Sequence, residues 1–206
     1  MSDKFTFTID GVEVEATPGQ TIMEAADAAG IYIPRLCALK GLMPLGACRV
    51  CTVYVNGRPQ AGCVQPAAAN IVVDNSSEKL AKFRKNLIEM LFTEGNHFCM
   101  FCEKSGNCEL QALGYRFGVL APKFPFQFPK MRRVDLSHPD VMTDFNRCTL
   151  CGRCVRASKF VDGKHVFQFI GRGFKRRIGF DSRGDLSTTK LEASDSATAS
   201  CPVGCI

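Results

Sequence analysis

Cysteine dominates the chemistry that this sequence could perform. Of its 206 residues 12 are cysteines, and they fall into three groups along the chain. Closely spaced thiols in a reducing compartment bind metals or carry out redox chemistry, whereas disulfides belong mainly to oxidising compartments. Residues 1–6 form a polar start without the character of a signal peptide. We therefore expect a cytoplasmic protein whose cysteines bind metal.

The first group has the pattern C-x10-C-x2-C-x11-C and comprises Cys37, Cys48, Cys51 and Cys63. A two-iron cluster needs four converging thiolates, and small residues let backbone N–H groups approach its sulfides. Residues 45–47, Leu-Gly-Ala, form such a loop. The alternatives are a zinc site or a thioredoxin-type pair. Because only one C-x2-C occurs here and no βαβ pattern surrounds it, we expect a 2Fe–2S cluster.

The second group has the pattern C-x2-C-x5-C and comprises Cys99, Cys102 and Cys108. Three thiolates can bind three corners of a four-iron cube, and the fourth iron then needs another ligand. The nearest candidate is His97, and a carboxylate such as Glu103 or a water molecule is the alternative. The other two histidines, His138 and His165, have no cysteine neighbours, and we interpret both as structural or exposed.

The third group is a C-x2-C-x2-C run formed by Cys148, Cys151 and Cys154. This spacing is typical of a 4Fe–4S cluster, and in bacterial ferredoxins the run continues with x3-C-P. Here Ser158 stands at that fourth position, and a Cys-Pro pair occurs instead at Cys201. We expect Cys201 to complete the cluster and Cys205 to remain unused. Three arginines around the run, which would favour the reduced cluster electrostatically, are Arg147, Arg153 and Arg156.

The elements that must position these cysteines begin with a β-rich unit. Alternating apolar residues predict two strands joined by a turn at Asp10-Gly11, and Thr21 with Glu24 forms a capping box that opens a helix. Further strands over 50–55 and 71–73 complete a β-grasp order. An amphipathic helix over 78–93 follows, with one apolar face formed by Leu80, Phe83, Leu87, Met90 and Leu91.

The remaining chain divides into a short helical stretch over 109–113, a connector and a small α+β unit. The connector, 119–139, contains four prolines (Pro122, Pro125, Pro129, Pro139) among the phenylalanines Phe124, Phe126 and Phe128. We expect no regular element there, but a segment packed against a surface. The fold class is α+β: a β-grasp 2Fe–2S domain (1–77), a helical His/Cys cluster segment (78–118), the connector, and a bacterial-ferredoxin-like 4Fe–4S domain (140–206).

Several other functions are excluded by what the sequence lacks. No apolar run approaches the roughly 20 residues of a membrane helix. The net charge of +6 is spread over short basic runs at 130–133 and 172–177, which are too scattered for a nucleic-acid surface. The sequence contains no G-x-G-x-x-G or Walker-type loop and no evident nucleophile–base pair. We therefore expect no catalytic residue, and a chain that carries electrons.

The order of these motifs resembles a known family. A β-grasp two-iron domain, the C-x2-C-x5-C-E-L-Q segment over 99–111, and a C-x2-C-x2-C run with a remote C-P-V-G at 201–204 resemble the N-terminal electron-transfer region of the large complex I subunit. NAD-dependent formate dehydrogenases and iron-only hydrogenases share this region. As a short free-standing chain, the sequence is most similar to the diaphorase gamma subunits of NAD-reducing nickel–iron hydrogenases.

The resemblance implies a non-catalytic relay subunit within an oxidoreductase that couples H2 oxidation to NAD+ reduction. Its partners would be a flavin subunit that binds FMN and NAD(H) and the small and large nickel–iron hydrogenase subunits. The implied cofactors are one 2Fe–2S and two 4Fe–4S clusters, held by the three groups with His97 and Cys201 as the fourth ligands of the cubes. An equivalent relay in complex I or formate dehydrogenase, or a zinc-bound scaffold, is the alternative.

The sequence departs from the family at two places. The family's histidine precedes the first cysteine of the second group as H-x3-C, and that position is Gly95 here. In addition, the sequence ends at Ile206, directly after C-P-V-G-C, whereas relatives continue.

Overall fold

The computed structural model describes residues 4–128, 130–182 and 184–206. Its first two strands, β1 (Phe5–Ile9) and β2 (Val12–Ala16), pair antiparallel over their whole length. The turn between them places Asp10 and Gly11 at φ values of 50° and 81°. Positive φ at both central residues is the requirement of the tight turn that matches strand twist. The predicted hairpin is therefore confirmed.

The first helix, α1 (Ile22–Ala28), begins with the predicted capping box. The Glu24 N–H donates to Thr21 Oγ1 at 3.2 Å, and the Thr21 N–H donates to the Glu24 carboxylate at 2.8 Å. Ile22, Ala25 and Ala26 are fully buried. They belong to the same apolar core as Phe7 and Ile9 on β1, so small side chains bring the helix close to the sheet.

Three further strands complete a sheet of order β2-β1-β5-β3-β4, namely β3 (Thr52–Val55), β4 (Arg58–Ala61) and β5 (Val72–Asp74). Strand β5 runs parallel to β1 and antiparallel to β3. A helix crossing a mixed sheet in this order is the predicted β-grasp architecture. The predicted strand over 50–55 begins only at Thr52, because Arg49 has a positive φ of 60° and its carbonyl accepts from the Thr52 N–H in a turn.

Helix α2 (Glu78–Glu94) extends one residue beyond its predicted bounds, and its predicted apolar face is only partly buried. Phe83 and Met90 are about 40% exposed, at 39% and 41%. The buried side chains are Leu80, Arg84, Ile88, Glu89 and Thr93. The helix is rotated because the Arg84 guanidinium lies against the sheet domain. There it donates to the Thr52 carbonyl at 2.7 Å and to Asn75 at 2.8 Å.

The chain then forms α3 (Glu109–Arg116) and the connector. Within its described residues the connector has no helix or strand, as predicted; Pro129 lies outside them. Its backbone is held by the rest of the protein, since the Gln127 N–H donates to the Thr93 carbonyl at 3.0 Å. The expected packing of its phenylalanines is wrong for Phe128, which is 84% exposed, whereas Phe124 is half-buried. Backbone hydrogen bonds therefore hold this segment together with local apolar contacts such as those of Val119.

The C-terminal unit combines α4 (Arg153–Phe160), the hairpin of β6 (Phe167–Ile170) and β7 (Arg177–Phe180), and α5 (Ser196–Ala199). Its core contains Val166, Phe167, Ile178 and Leu186 together with Cys154. Helix α4 begins within the third cysteine run, directly before Cys154, and the preceding Gly152 lies in the left-handed region at φ 66°. None of the described helices is both long and apolar enough to cross a membrane.

Candidate metal centres

The four cysteines of the first group meet beside the sheet domain. Cys37, Cys51 and Cys63 are almost fully buried, and Cys48 is half-buried. The Cys37 thiol is hydrogen-bonded to the thiols of Cys48 and Cys63, which lowers the pKa of Cys37. Cys63 also bonds the thiol of Cys51. All four predicted ligands of the first site therefore lie in one connected group.

Backbone N–H groups approach these sulfurs as the small-residue loop predicts. The Cys37 N–H donates to Cys48 Sγ at 3.4 Å, and the Ala47 N–H bonds the Cys37 thiol. Hydrogen bonds of this kind stabilise thiolates and tune the potential of a cluster. The donor set thus suits a four-thiolate two-iron cluster.

The second group lines a single pocket that has about 320 Å³ of empty space, part of it open to solvent. His97, Cys99, Cys102 and Cys108 all face this pocket. Gly204, from the C-terminal segment, lies directly against it, since a Cβ at this position would come within 2.5 Å of Cys102 Sγ. The wall therefore requires glycine, and the pocket brings the predicted histidine and the three cysteines together.

The imidazole of His97 is available as a ligand. Burial and the charge on Arg147 lower the pKa of His97 to about 4, so the ring is neutral at pH 7. Its Nε2 atom is buried and has no hydrogen-bond partner among the described residues. An unsatisfied buried nitrogen costs free energy unless another atom binds it, and iron would do so. Phe92 holds the ring by an edge contact, with centroids 5.8 Å apart.

The position at which the family resemblance implies a histidine is Gly95, and the His97 ring lies directly beside it. A Cβ built on Gly95 would lie only 2.8 Å from His97 Nε2. The His97 ring therefore reaches back over the place where a side chain of residue 95 would begin. The alternative ligand Glu103 is exposed and bonds Arg147 at 2.6 Å.

The third group is also largely buried. Cys151, Cys154 and Cys201 are 8–9% exposed, and burial raises the pKa of Cys151 to about 12. The charge on Cys201 raises the pKa of both Cys151 and Cys154, so the remote cysteine lies close to the run. The Leu150 N–H donates to Cys148 Sγ at 3.4 Å. The structure therefore places Cys201 beside the run, where a fourth ligand is expected.

Cys205, predicted to be unused, also lies at this site. It is 3% exposed, and its thiol is hydrogen-bonded to both Cys148 and Cys201. The bond from Cys205 lowers the pKa of Cys201 to about 6. Sequence spacing could not reveal this contact, although the position of Cys205 only four residues after Cys201 hinted at proximity. The third site thus has a fifth thiol as a close neighbour.

The other histidines are remote from these sites, as predicted. His138 is half-buried, and its Nε2 atom bonds the Leu191 carbonyl at 3.1 Å. His165 is exposed in a turn with φ 55°. Among the described residues, no three histidine, cysteine or acidic side chains meet closely enough for a single metal ion.

The three sites adjoin one another through a common apolar core. The residues Leu36, Ile88, Leu110 and Val203 form part of this core. Cysteines of every group belong to it or pack against it: Cys48 of the first, Cys108 of the second, and Cys148 and Cys201 of the third. Thiols separated by up to 153 positions in sequence (48 to 201) are therefore gathered around one cluster of side chains.

Comparison with known protein families agrees with this division. Residues 2–78 match a 2Fe-2S iron-sulfur cluster binding domain. Residues 84–122 match the NADH-ubiquinone oxidoreductase-G iron-sulfur binding region, and residues 141–206 match a 4Fe-4S single cluster domain.

Similar whole proteins are oxidoreductase subunits. The NAD-reducing hydrogenase HoxS subunit gamma of Cupriavidus necator is 40% identical over 97% of this chain and 85% of that protein. The mitochondrial NADH-ubiquinone oxidoreductase 78 kDa subunit of Candida albicans and the NADPH-Fe(3+) oxidoreductase subunit alpha of Geobacter sulfurreducens are 35% and 32% identical. The chain spans only 28% and 23% of these two longer subunits.

A solved structure shows the same fold. A chain of the NAD+-reducing [NiFe]-hydrogenase in the H2-reduced state superposes with a TM-score of 0.94 and 50% identity. The match covers 98% of this chain and 86% of that chain. Because a relative of similar length is 40% identical over nearly the whole sequence, the chain belongs to the family of gamma subunits of NAD-reducing hydrogenases.

Proposed function

We propose that this chain is the iron–sulfur relay of a cytoplasmic NAD-reducing nickel–iron hydrogenase. It would pass electrons between the hydrogenase subunits, which oxidise H2, and a flavin subunit, which reduces NAD+. The observation that carries this proposal is the common core that cysteines of all three groups share. Electron transfer weakens steeply with distance, so adjoining sites suit a relay, whereas independent structural metals have no need to adjoin.

The proposed ligands follow the three groups. The first group would hold one 2Fe–2S cluster. The second, completed by the neutral and otherwise unpaired Nε2 of His97, would hold one 4Fe–4S cluster, and the third, completed by Cys201, would hold another. The full sets are Cys37, Cys48, Cys51 and Cys63; His97, Cys99, Cys102 and Cys108; and Cys148, Cys151, Cys154 and Cys201.

Iron–sulfur clusters supply reversible one-electron chemistry, and the chain's own residues determine its setting. Leu36, Val50 and Ile88, all fully buried, exclude water from the space among the sites. The Arg147 guanidinium lies beside the second site, with Nη1 at 3.6 Å from Cys102 Sγ, and it is also paired with the carboxylates of Glu103 and Asp144. A nearby cation stabilises the more negative, reduced form of a cluster.

The surface beside the second site supports the proposal of partner subunits. Phe98, Met100 and Phe101 are 69%, 88% and 79% exposed, and the last two lie between the ligands Cys99 and Cys102. Exposed apolar side chains concentrated at one place mark interaction sites more often than free surface. A partner that covers them would bring its own redox centre close to this cluster.

The test is anaerobic purification of the chain with whatever subunits accompany it, followed by metal analysis. We expect about ten irons per chain with acid-labile sulfide, from one two-iron and two four-iron clusters, together with nickel–iron and flavin subunits. Colourless protein with zinc would contradict the proposal in favour of a scaffold. Complex I or formate dehydrogenase subunits as companions would assign the relay to another enzyme.

A further inference from the structure

Arg153 occupies an unusual place among the three sites. It is the first residue of α4 and lies between the proposed ligands Cys151 and Cys154 in sequence. Its side chain is only 2% exposed, although arginine is seldom fully buried unless it is paired. It is the largest of the fully buried side chains. The burial of a cation in this position must be offset by specific interactions.

The guanidinium contacts a residue next to a proposed ligand of each site. Its Nη2 donates to the carbonyl of Ala38, which follows Cys37, at 2.8 Å. Both Nη atoms bond the carboxylate of Glu109, which follows Cys108, at 2.5 and 2.7 Å. Nη1 also makes a longer contact of 3.5 Å to the carbonyl of Ser200, which precedes Cys201. One planar group thus joins three segments that are distant in sequence.

Simple stabilisation of the core does not explain this arrangement. A buried ion pair is often no more stable than apolar side chains of similar volume, because both charges lose their hydration. Here the planar fork of arginine matches the carboxylate in two bonds while it also reaches two carbonyls, which a lysine ammonium cannot do. Its Nε–H is buried without an acceptor among the described residues, so it is available to a cluster sulfur.

We propose that Arg153 is a positioning residue that fixes the three cluster-binding segments at set separations. This inference rests on the proposed relay function, for which constant distances between clusters matter. The bonds to Glu109 link Arg153 only to the segment of the second site. Arg156 gives a second, partial link, because its Nη2 donates to the Cys37 carbonyl at 2.6 Å. Among the side-chain hydrogen bonds of the described residues, those of Arg153 alone reach the segments of all three sites.

The test compares three variants of the full chain with all clusters present. Arg153→Lys keeps the charge but removes the fork, Glu109→Ala removes the one anchor at the second site, and Arg177→Lys changes an exposed arginine in the C-terminal unit. Separations between reduced clusters are measured by pulsed dipolar EPR and by the magnetic broadening between cluster signals. Iron content is measured alongside.

We expect Arg153→Lys to shift or broaden all three separations. Glu109→Ala should alter only those that involve the second site, and Arg177→Lys should leave every separation unchanged. If Arg153→Lys loses iron, loss from more than one site supports the proposal, and loss from the third site alone overturns it. Wild-type separations in both Arg153→Lys and Glu109→Ala also overturn it. A wild-type chain without three reducible clusters would instead contradict the relay function itself.

Discussion

At the scale of single residues, His97 is the proposed fourth ligand of the second site, two positions after the place that the family resemblance implies. That place is Gly95, and a Cβ there would lie 2.8 Å from His97 Nε2. The His97 ring therefore fills the space beside Gly95. Its buried Nε2 atom has no hydrogen-bond partner among the described residues, which suits the proposed role.

Substitution of His97 tests that assignment. We expect His97→Ala to leave a three-iron or labile cluster at the second site, because the fourth iron loses its ligand. His97→Cys should retain four irons at a lower potential, since a thiolate is anionic and imidazole is neutral. Iron analysis and an EPR-monitored redox titration measure both effects. Unchanged spectra and midpoints in both variants would mean that another group binds that iron, and His138→Ala provides the control.

Cys201 and Cys205 are both buried beside the third run, and either thiol could be its fourth ligand. Burial is the main cause that raises the pKa of both Cys151 and Cys154, and the charge on Cys201 adds to it. The Cys205 thiol bonds those of Cys148 and Cys201. We propose Cys201 as the ligand because a proline follows it, as in the family motif, and Cys205 as a hydrogen-bond donor to the sulfurs.

Serine variants distinguish these roles. Cys201→Ser should lose or degrade the third cluster. Cys205→Ser should keep the full iron content, because a hydroxyl can donate in place of the thiol, whereas Cys205→Ala should lower the midpoint potential by removal of that donor. Iron content and the EPR signal of the third cluster are the measurements. The reverse pattern of iron loss would show that Cys205 is the ligand.

At the scale of elements, local signals predicted turns and helix starts better than buried faces. The hairpin turn at Asp10-Gly11 and the capping box at Thr21 depend on neighbouring residues alone, and both form as expected. Helix α2 also begins at the predicted residue. Its predicted apolar face is only partly buried, because the Arg84 side chain bonds the Thr52 and Asn75 oxygens on another element. Periodicity of apolar residues carries no information about such distant acceptors.

Arg84 should therefore be important for the docking of α2 on the sheet domain. Arg84→Met should lower the free energy of unfolding by about 3 kcal/mol, because it removes charged hydrogen bonds and leaves the buried Thr52 carbonyl without them. Lys82→Met, an exposed change on the same helix, should cost no more than about 0.5 kcal/mol. Denaturant titration under anaerobic conditions measures both. Equal stabilities of the two variants would refute this role.

The candidate sites were predictable to the extent that their ligands are close in sequence. The C-x2-C pairs can be recognised from their spacing. The remote Cys201 was predicted as a ligand because a proline follows it. The contacts of Arg147, Arg153 and Arg156 with neighbouring sites were not predictable. They arise only when segments such as 38 and 153 pack together. Sequence placed these arginines near their own run, whereas the structure shows them reaching the others.

At the scale of the whole molecule, the chain is built around connections between sites. The sheet domain, α3 and the C-terminal unit each contribute cysteines to one core, and the arginines link the same parts by hydrogen bonds. Such an arrangement suits the proposed relay of electrons between adjoining sites. Under that proposal, H2 and NAD+ react on the partner subunits.

If the chain only relays electrons between partner subunits, loss of one cluster should cause a specific defect in the assembled enzyme. With a relay interrupted by Cys201→Ser, H2-driven reduction of NAD+ should be lost. The hydrogenase subunits should still oxidise H2 with an artificial acceptor, and the flavin subunit should still oxidise NADH with a dye, because neither half-reaction needs the whole path. Arg177→Lys, on the exposed surface, should keep all three activities.

The isolated chain, with its clusters reduced and visible by EPR, should oxidise neither H2 nor NADH. Flavin-dependent NADH turnover by this chain alone would reveal a nucleotide site within it and would contradict the role of a pure relay.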